Sequence, residues 1–424
     1  MNSNFANEAR STHRCQRAPL TGAMLAAAVA SLVSTHASSS TTASRAVPFH
    51  SWNSPPTQAA LSSWDGEEQT ADVVGSIGRQ MHLLPGLLTA EEMAALHAAA
   101  VRCQAYDADE PDSVDKAPTF QAHIFEGGEP RLAELAALLA PIIETRLLPY
   151  VRAKFGCPDA CVADGLLRRY RAEERTSLAL HYDVEALATA ILPLSVQQGE
   201  EEGGGEGSGN GRGNGDPAAA AALSTTTTYS GGLFVQGGPS RGCRRYVRFP
   251  RQGDVLVHQF DLMHGVEVGG GTRYAIALWF SDSPASRAAG RAPWVLAAAE
   301  AGNADAQFLM ATFCAQGRFG TPLDEAAATE WLERGAAQGH AVSQLGLGRH
   351  RLGQGDAVAA AASFRAAAEQ RHVEAEYSLA LFYLDGIGVE RSVAQARRWF
   401  TAAASQGGEY GEAASLELEE LRSL

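Results

Sequence analysis

Between residues 165 and 282 the apolar positions come in short runs rich in β-branched and aromatic residues. The runs GLLRRYR, LALHYDV, ATAILPLS, GGLFVQ, RRYVRFP, GDVLVHQF and RYAIALWF are each bounded by Gly, Pro or Asp. That spacing predicts strands, and many short strands in succession predict a sandwich or jelly roll. Upstream the pattern differs. HLLPGLLTAEEMAALHAAAVRC predicts a short strand, a turn at Pro85-Gly86 and a helix entered through a Thr89–Glu92 capping box. PRLAELAALLAPIIETRLLPYVRAKFG has helical spacing, with interruptions expected at Pro141 and Pro149. From Pro293 the chain becomes helical again, and repetitive.

The repetition has a measurable period. Leu332, Phe364 and Phe400 each stand seven residues before the end of a unit, at Gly339, Arg371 and Gly407. Steps of 32 and 36 residues with two helices per unit predict an α-solenoid, in which each pair buries its apolar face on the next. The first and third units resemble Sel1-like repeats, relatives of the tetratricopeptide repeats. The second unit is degenerate and lacks the loop that Gly386-Ile387-Gly388-Val389 supplies in the third. A polar capping helix is expected over Ser415–Leu424. The resemblance implies a module that binds an unknown protein partner.

Composition refines this layout. The 424 residues suit two or three domains. Residues 1–45 read as a targeting segment: Arg10, Arg14 and Arg17 precede an apolar core of about 14 residues, with a small residue at Ala37. That fits entry to the secretory pathway and endoplasmic reticulum, with an organelle or the cytoplasm as alternatives. Membrane attachment is expected only if this segment is an uncleaved anchor. Residues 46–75 read as a disordered linker. Residues 197–222, rich in Gly and Glu, read as a low-complexity insertion between strands. The folded parts expected are then 76–290 and 294–424. A formal charge of −14 argues against a nucleic-acid partner. The six cysteines are too few and scattered for a disulfide scaffold. Cys157 and Cys161 could close a small loop in an oxidising compartment, and two ordinary thiols are the plainer reading.

The candidate chemistry lies in two strings. LALHYDV carries His181 and Asp183, and HGVEVGGGTRYAIALWF carries His264 and Arg273. His-x-Asp followed by a distant His is the donor set of a facial triad for non-haem Fe(II). Residues two apart on a strand share a face, so His181 and Asp183 are expected to hold one ion while Tyr182 points away. His264 is expected from a neighbouring strand. Zinc would accept the same donors. Arg273, nine residues on, favours iron with 2-oxoglutarate, because a guanidinium forks onto a carboxylate. Ala275, Ala277 and Trp279 share its face, and the two alanines would leave room for a ligand. His258 is a competing donor that could instead pack or support the site.

Residues from about 80 to 285 resemble the prolyl 4-hydroxylase branch of the 2-oxoglutarate/Fe(II) dioxygenases. The matched features are PGLLTAEE, LLRRYR, the HYD segment, YSGGLFV, GDVLVH and HGVEVGGGTRYAIALWF. The resemblance implies a double-stranded β-helix (jelly roll) with flanking helices. It implies His181, Asp183 and His264 as iron ligands, Arg273 on the distal carboxylate of 2-oxoglutarate, and Tyr170 as a second group on that co-substrate. O2 would be consumed and L-ascorbate would support turnover. The spacer RAEERTSLAL is longer than the family's usual segment before the triad. The expected function is hydroxylation of a peptidyl residue, proline first, on a protein or peptide substrate. The competing readings are a lysine or small-molecule dioxygenase, and a repeat scaffold whose dioxygenase-like domain only binds 2-oxoglutarate.

Overall fold

The strand Arg273–Ser281 organises the sheets, because both of its faces are covered. Tyr274, Ile276, Leu278 and Phe280 point to one side, and Ala275, Ala277 and Trp279 to the other. The computed structural model of the chain describes residues 80–107, 111–112, 114–198, 227–238 and 244–422. The expected targeting segment, linker and low-complexity insertion, together with His50, Cys15 and Cys243, lie outside the described residues, apart from Gln197 and Gln198.

Two compact units emerge, divided between Trp331 and Leu332. The larger contains twelve described strands: β1 (Met81–Leu84), β2 (Gln121–Glu126), β3 (Glu129–Pro130), β4 (Cys161–Tyr170), β5 (Ser177–His181), β6 (Ala188–Pro193), β7 (Val196–Gln197), β8 (Thr228–Gln236), β9 (Arg244–Tyr246), β10 (Val255–Gln259), β11 (His264–Gly271) and β12 (Arg273–Ser281). One sheet runs β1-β10-β6-β12-β4-β2-β3, and the other runs β5-β11-β8-β7 with β9 beside β8. Every pairing is antiparallel except β7 with β8. Tyr170, Leu178, Ile191, Leu233, Val266 and Ala277, from six strands of both sheets, form a single buried cluster.

The opposite face of the seven-stranded sheet is covered by helices. The first, α1 (Ala90–Arg102), starts with the expected capping box: Glu92 N donates to Thr89 Oγ1 at 3.2 Å and Thr89 N to Glu92 Oε2 at 2.9 Å. The next helical stretch is α2 (Ala133–Ile142), a π turn (Ile143–Leu147) and α3 (Leu148–Phe155). The prolines were expected to interrupt it, yet the helix runs through. Pro141 lies inside α2, and the π turn widens the ladder just before Pro149, whose missing N–H and bulky ring cannot fit ordinary helical turns. Cys157 and Cys161 are both free thiols, and burial, helped by Asp282, pushes Cys157 up to about 11.

Three further helices complete this unit: α4 (Pro284–Ala288), α5 (Pro293–Glu300) and α6 (Ala304–Gln316). Trp294, Val295, Leu309, Met310 and Phe313 join the same core as Tyr274 and Leu278. Here the structure differs from the expected division at 290/294. The compact unit continues to Trp331 because α5 and α6 bury their apolar faces with the sheet. Polar bonds reinforce this: Tyr182 Oη donates to Asp305 at 2.6 Å, and Asn303 Nδ2 donates to Asp261 Oδ2 at 2.7 Å.

From α7 (Glu325–Ala337) onward the helices are α8 (Ala341–Gly353), α9 (Ala357–Glu369), α10 (Val373–Asp385), α11 (Val393–Gln406) and α12 (Gly408–Arg422). The smaller unit is a stack of helix pairs. Its core holds Phe364 and Phe400, at 2% and 0% exposure, the positions that set the repeat period. The closing helix begins at Gly408, seven residues before the expected Ser415. No helix among the described residues is long and apolar enough to cross a membrane.

Two predictions follow from these units. Burial, aided by Asp305, raises the Asp261 carboxyl to about 6. The native state then holds that proton more tightly than the unfolded chain, so stability drains as pH rises from about 4 through 6. Asp261→Asn should therefore raise the melting temperature at pH 7.5, relieving on the order of 3 kcal/mol at most. The gain should shrink towards pH 4; an equal gain at both pH values would contradict this assignment. In the smaller unit, Gly388 has φ +63, and a Cβ there would overlap the Ala357 carbonyl. Gly388→Ala should cost about 1–2 kcal/mol or more. Gly353→Ala, with nothing within 4 Å, should be neutral or stabilising by up to about 1 kcal/mol. Thermal melts of the two variants test the contrast.

Candidate metal centre

The end of β5 and the start of β11 meet at the centre of the site. His181 and His264 are direct partners across the two strands, with an irregularity in β11 immediately after His264. Their rings lie 4.3 Å apart. In each ring Nδ1 sits 2.9 Å from a backbone carbonyl two residues back, Ala179 for His181 and Leu262 for His264. A carbonyl oxygen only accepts, so Nδ1 carries the hydrogen and Nε2 presents a lone pair. This is the usual arrangement behind a metal-bound imidazole.

Both lone pairs face Asp183. His181 Nε2 is 3.5 Å from Oδ1, and His264 Nε2 is 3.7 Å from Oδ2. The expected reason for this placement needs correction. β5 ends at His181, so strand alternation does not carry Asp183. A turn does: Ala186 N donates to the Asp183 carbonyl at 3.0 Å, and Thr189 Oγ1 donates to Oδ2 at 2.6 Å. Tyr182 does point away, to Asp305. The ligand atoms of His181, Asp183 and His264 all lie within 4.8 Å of one another.

His258 is the third imidazole of this centre. It is fully buried on β10, paired with Thr189, and its Nε2 is 3.6 Å from Asp183 Oδ2. Burial pushes His264 well below the ordinary imidazole value and lowers His258. Burial by itself would raise the Asp183 carboxyl, but the surrounding imidazoles outweigh it and hold the group well below the usual range. One carboxylate thus faces lone pairs at hydrogen-bond-like range, an unfavourable arrangement that a divalent cation would reverse. The donor types suit Fe(II) or Zn(II).

A second cluster lies at the start of β12. Arg273 is 2% exposed and pairs across strands with Tyr170. Its guanidinium carbon is 5.4 Å from the Tyr170 ring centre and 5.7 Å from that of Tyr229. Arg273 Nε, Tyr170 Oη and Tyr229 Oη are all buried without a hydrogen-bond partner. Buried donors are normally satisfied, and a guanidinium flanked by tyrosine hydroxyls has the donor set that suits a carboxylate. Tyr229 was missed in the sequence. Its alternation with Leu233 and Val235 places it inward, but the low-complexity tract just before it hides where the strand begins.

One cleft joins the two clusters. Its volume is ≈ 430 Å³ out to its open mouth, and His181, Asp183, His264, Tyr170 and Arg273 all line it. Ala275 and Ala277 leave the space on the β12 wall, and Trp279 also faces it. A second guanidinium, Arg168, lines the cleft from β4, two residues before Tyr170 on the same face. Its Nη1 is 3.2 Å from Asp112 Oδ2. The sequence analysis gave Arg168 no role, although LLRRYR places it by the same alternation.

Comparison with known proteins decides part of the reading. The family model for the Sel1 repeat matches residues 304–340 and 373–408. The chain carries Sel1 repeats. The unit between these matches, 341–372, is the degenerate one. Comparison with curated proteins found no match. Among solved structures, a Sel1 repeat protein from Oxalobacter formigenes is 33% identical over 30% of this chain and 37% of that one, with TM-score 0.28. The present chain thus spans little more than a third of that structure. An oxidoreductase of the 2OG-Fe(II) oxygenase family from Burkholderia pseudomallei is 17% identical over 51% of this chain and 92% of that one, TM-score 0.33. A prolyl-4-hydroxylase from Pseudomonas putida is 16% identical over 50% and 97%, TM-score 0.32.

The Thr189 bond gives a direct test of the centre. Thr189→Val removes the one hydroxyl that orients Asp183 while keeping side-chain volume. Loss of such a supporting bond typically weakens metal binding about 10- to 100-fold. Titration calorimetry with Co(II) or Zn(II) on the full chain should show that loss, and unchanged affinity would remove Asp183 from the donor set.

Proposed function

We propose that this protein is a 2-oxoglutarate- and Fe(II)-dependent dioxygenase of jelly-roll (double-stranded β-helix) form. In this reading it hydroxylates a peptidyl residue, proline in the first instance, and its Sel1 repeats engage a protein partner. The observation that carries the reading is the joining, in one cleft, of an unsatisfied two-histidine, one-carboxylate set with an unsatisfied buried arginine. Metal-only hydrolysis would need the first cluster but has no use for the second.

Each residue then has a task. His181, Asp183 and His264 would hold the metal through Nε2 and carboxylate oxygen, leaving positions free for a bidentate 2-oxo acid and for O2. When bound, iron with 2-oxoglutarate supplies the oxidising chemistry, with succinate and CO2 as by-products. Arg273 would fix the far carboxylate through paired hydrogen bonds, and Tyr170 and Tyr229 would donate to the same group. Their burial strengthens those bonds by excluding water. Ala275 and Ala277 leave room for the co-substrate chain. L-Ascorbate is the expected reductant for restoring the ferrous centre. The N-terminal targeting segment supports a secretory-pathway location.

The test is conversion of 2-oxoglutarate to succinate by the full chain with Fe(II), ascorbate and O2. Asp183→Ala should abolish it. Tyr229→Phe should raise the 2-oxoglutarate KM by roughly five- to twenty-fold, the value of one lost hydrogen bond to a charged group. Mass spectrometry of Pro-rich peptides should then find one added oxygen on proline. Tight 2-oxoglutarate binding without succinate would favour the scaffold reading. An added oxygen on lysine or on a small molecule instead would redirect the substrate assignment.

A further inference from the structure

Among the side chains that line the cleft, Arg168 is the charged one that the proposed function leaves without a task. Strand register fixes its place. Arg168 stands opposite Ala275, and one step along Tyr170 stands opposite Arg273. On the other edge of β12, Ala277 pairs with Ile191, and Trp279 pairs with Thr189, the residue bonded to Asp183. The β4 guanidinium therefore enters the cleft between the carboxylate-binding end and the metal centre, beside a wall that Ala275 keeps low. Arg168 is anchored there without being used up. Its Nη1 donates to Asp112 Oδ2 at 3.2 Å. That oxygen has a closer partner in Arg175 Nη1 at 3.0 Å, and Asp112 Oδ1 accepts from Val114 N at 2.8 Å. Arg175 also donates to Asp115, Pro118 and Ser177, and its side chain is 4% exposed. The Arg168 side chain is 15% exposed. A guanidinium carries five N–H donors in a rigid fork, so one bond to Asp112 aims the others into the cleft.

We propose that Arg168 is a specificity residue that donates to a backbone carbonyl of a peptide substrate, next to the residue that is oxidised. The inference rests on the dioxygenase reading and names the substrate group that this cleft recognises. Charge balance favours a neutral acceptor. In that reading a divalent cation and Arg273 are matched by Asp183 and the two carboxylates of 2-oxoglutarate. Arg168 is matched by Asp112. An anionic substrate would bring an unmatched charge into a site sheltered from water, where it is costly. A carbonyl oxygen brings none, and the charged donor makes the bond short and directional. The neighbouring walls, Leu178, Ile191, Ala275 and Ala277, are apolar and offer no side-chain donor in competition. One such donor fixes where the peptide lies and so which carbon is presented to the centre.

The probe is a fluorescent Pro-rich peptide, bound at equilibrium to the full chain with Zn(II) and 2-oxoglutarate, so that no turnover occurs. Arg168→Gln should weaken peptide binding about ten-fold or more, the worth of a hydrogen bond to a charged group, and leave the 2-oxoglutarate Kd unchanged. Arg168→Lys should recover part of the loss, since an ammonium is a point donor in place of the fork. Asp112→Asn keeps the guanidinium and should cost less than Arg168→Gln, with thermal melts to check folding. Esters in place of successive peptide amides should reveal one position whose cost disappears in Arg168→Gln. Equal losses in Arg168→Gln and Asp112→Asn, or a loss confined to 2-oxoglutarate, overturn the proposal. An Arg168-dependent preference for Glu over Gln beside the proline also overturns it, by assigning a carboxylate instead. Failure of the peptide to bind, while the Fe(II)-loaded chain converts 2-oxoglutarate to succinate, overturns it and leaves the dioxygenase reading standing. A chain that binds neither metal nor 2-oxoglutarate overturns both.

Discussion

A buried carboxylate ringed by imidazole lone pairs is the interaction on which the rest of this structure turns. Asp183 accepts a short hydrogen bond from Thr189 and otherwise faces three imidazole nitrogens at 3.5 to 3.7 Å. Taking such a group out of water without compensation is costly. The groups around it come from β5, β6, β10 and β11, hence from both sheets. The site is therefore a place where the two sheets are forced together around a common charge. In the proposed function a divalent cation would supply the balancing charge there.

The same logic applies to Arg273. Its guanidinium lies between two tyrosine rings, with a buried polar atom on each of the three side chains lacking a hydrogen-bond partner. In the proposed function a chelating acid bound to a metal would face both clusters, and the small side chains of β12 leave it space.

The strands with strong alternation were legible in the sequence: β12, β6 and β10 coincide with their apolar runs. β11 was expected only as the neighbouring strand that delivers His264, because HGVEVGGG dilutes its pattern with glycine and hides its extent. β2 and β3 escaped because QAHIFE and the following turn lack a clean period. His181, His264 and Arg273 were found by their types and spacing, Tyr170 only through the family resemblance, and the structure brings all four to one cleft. The position of Asp183 was anticipated for an inexact reason, since the turn that holds it leaves no period to read. Tyr229 and Arg168 depended on knowing which face of a strand looks inward, which requires both sheets at once. The division at Trp331 was hidden for a related reason: repeat periodicity identifies the helices but says nothing of what they pack against.

Tyr182 stands between two candidate ligands, and its hydroxyl is bonded to Asp305 on α6. Asp305 falls within the first segment that the Sel1 family matches. The peptide between the two candidate ligands is thus bonded to the first helix that the Sel1 family matches, a helix that also packs into the core of the sheet. Such a chain is not two interchangeable modules. The first helix supplies the acceptor for the Tyr182 hydroxyl, so exchanging it would strip a partly buried group beside the centre of its partner.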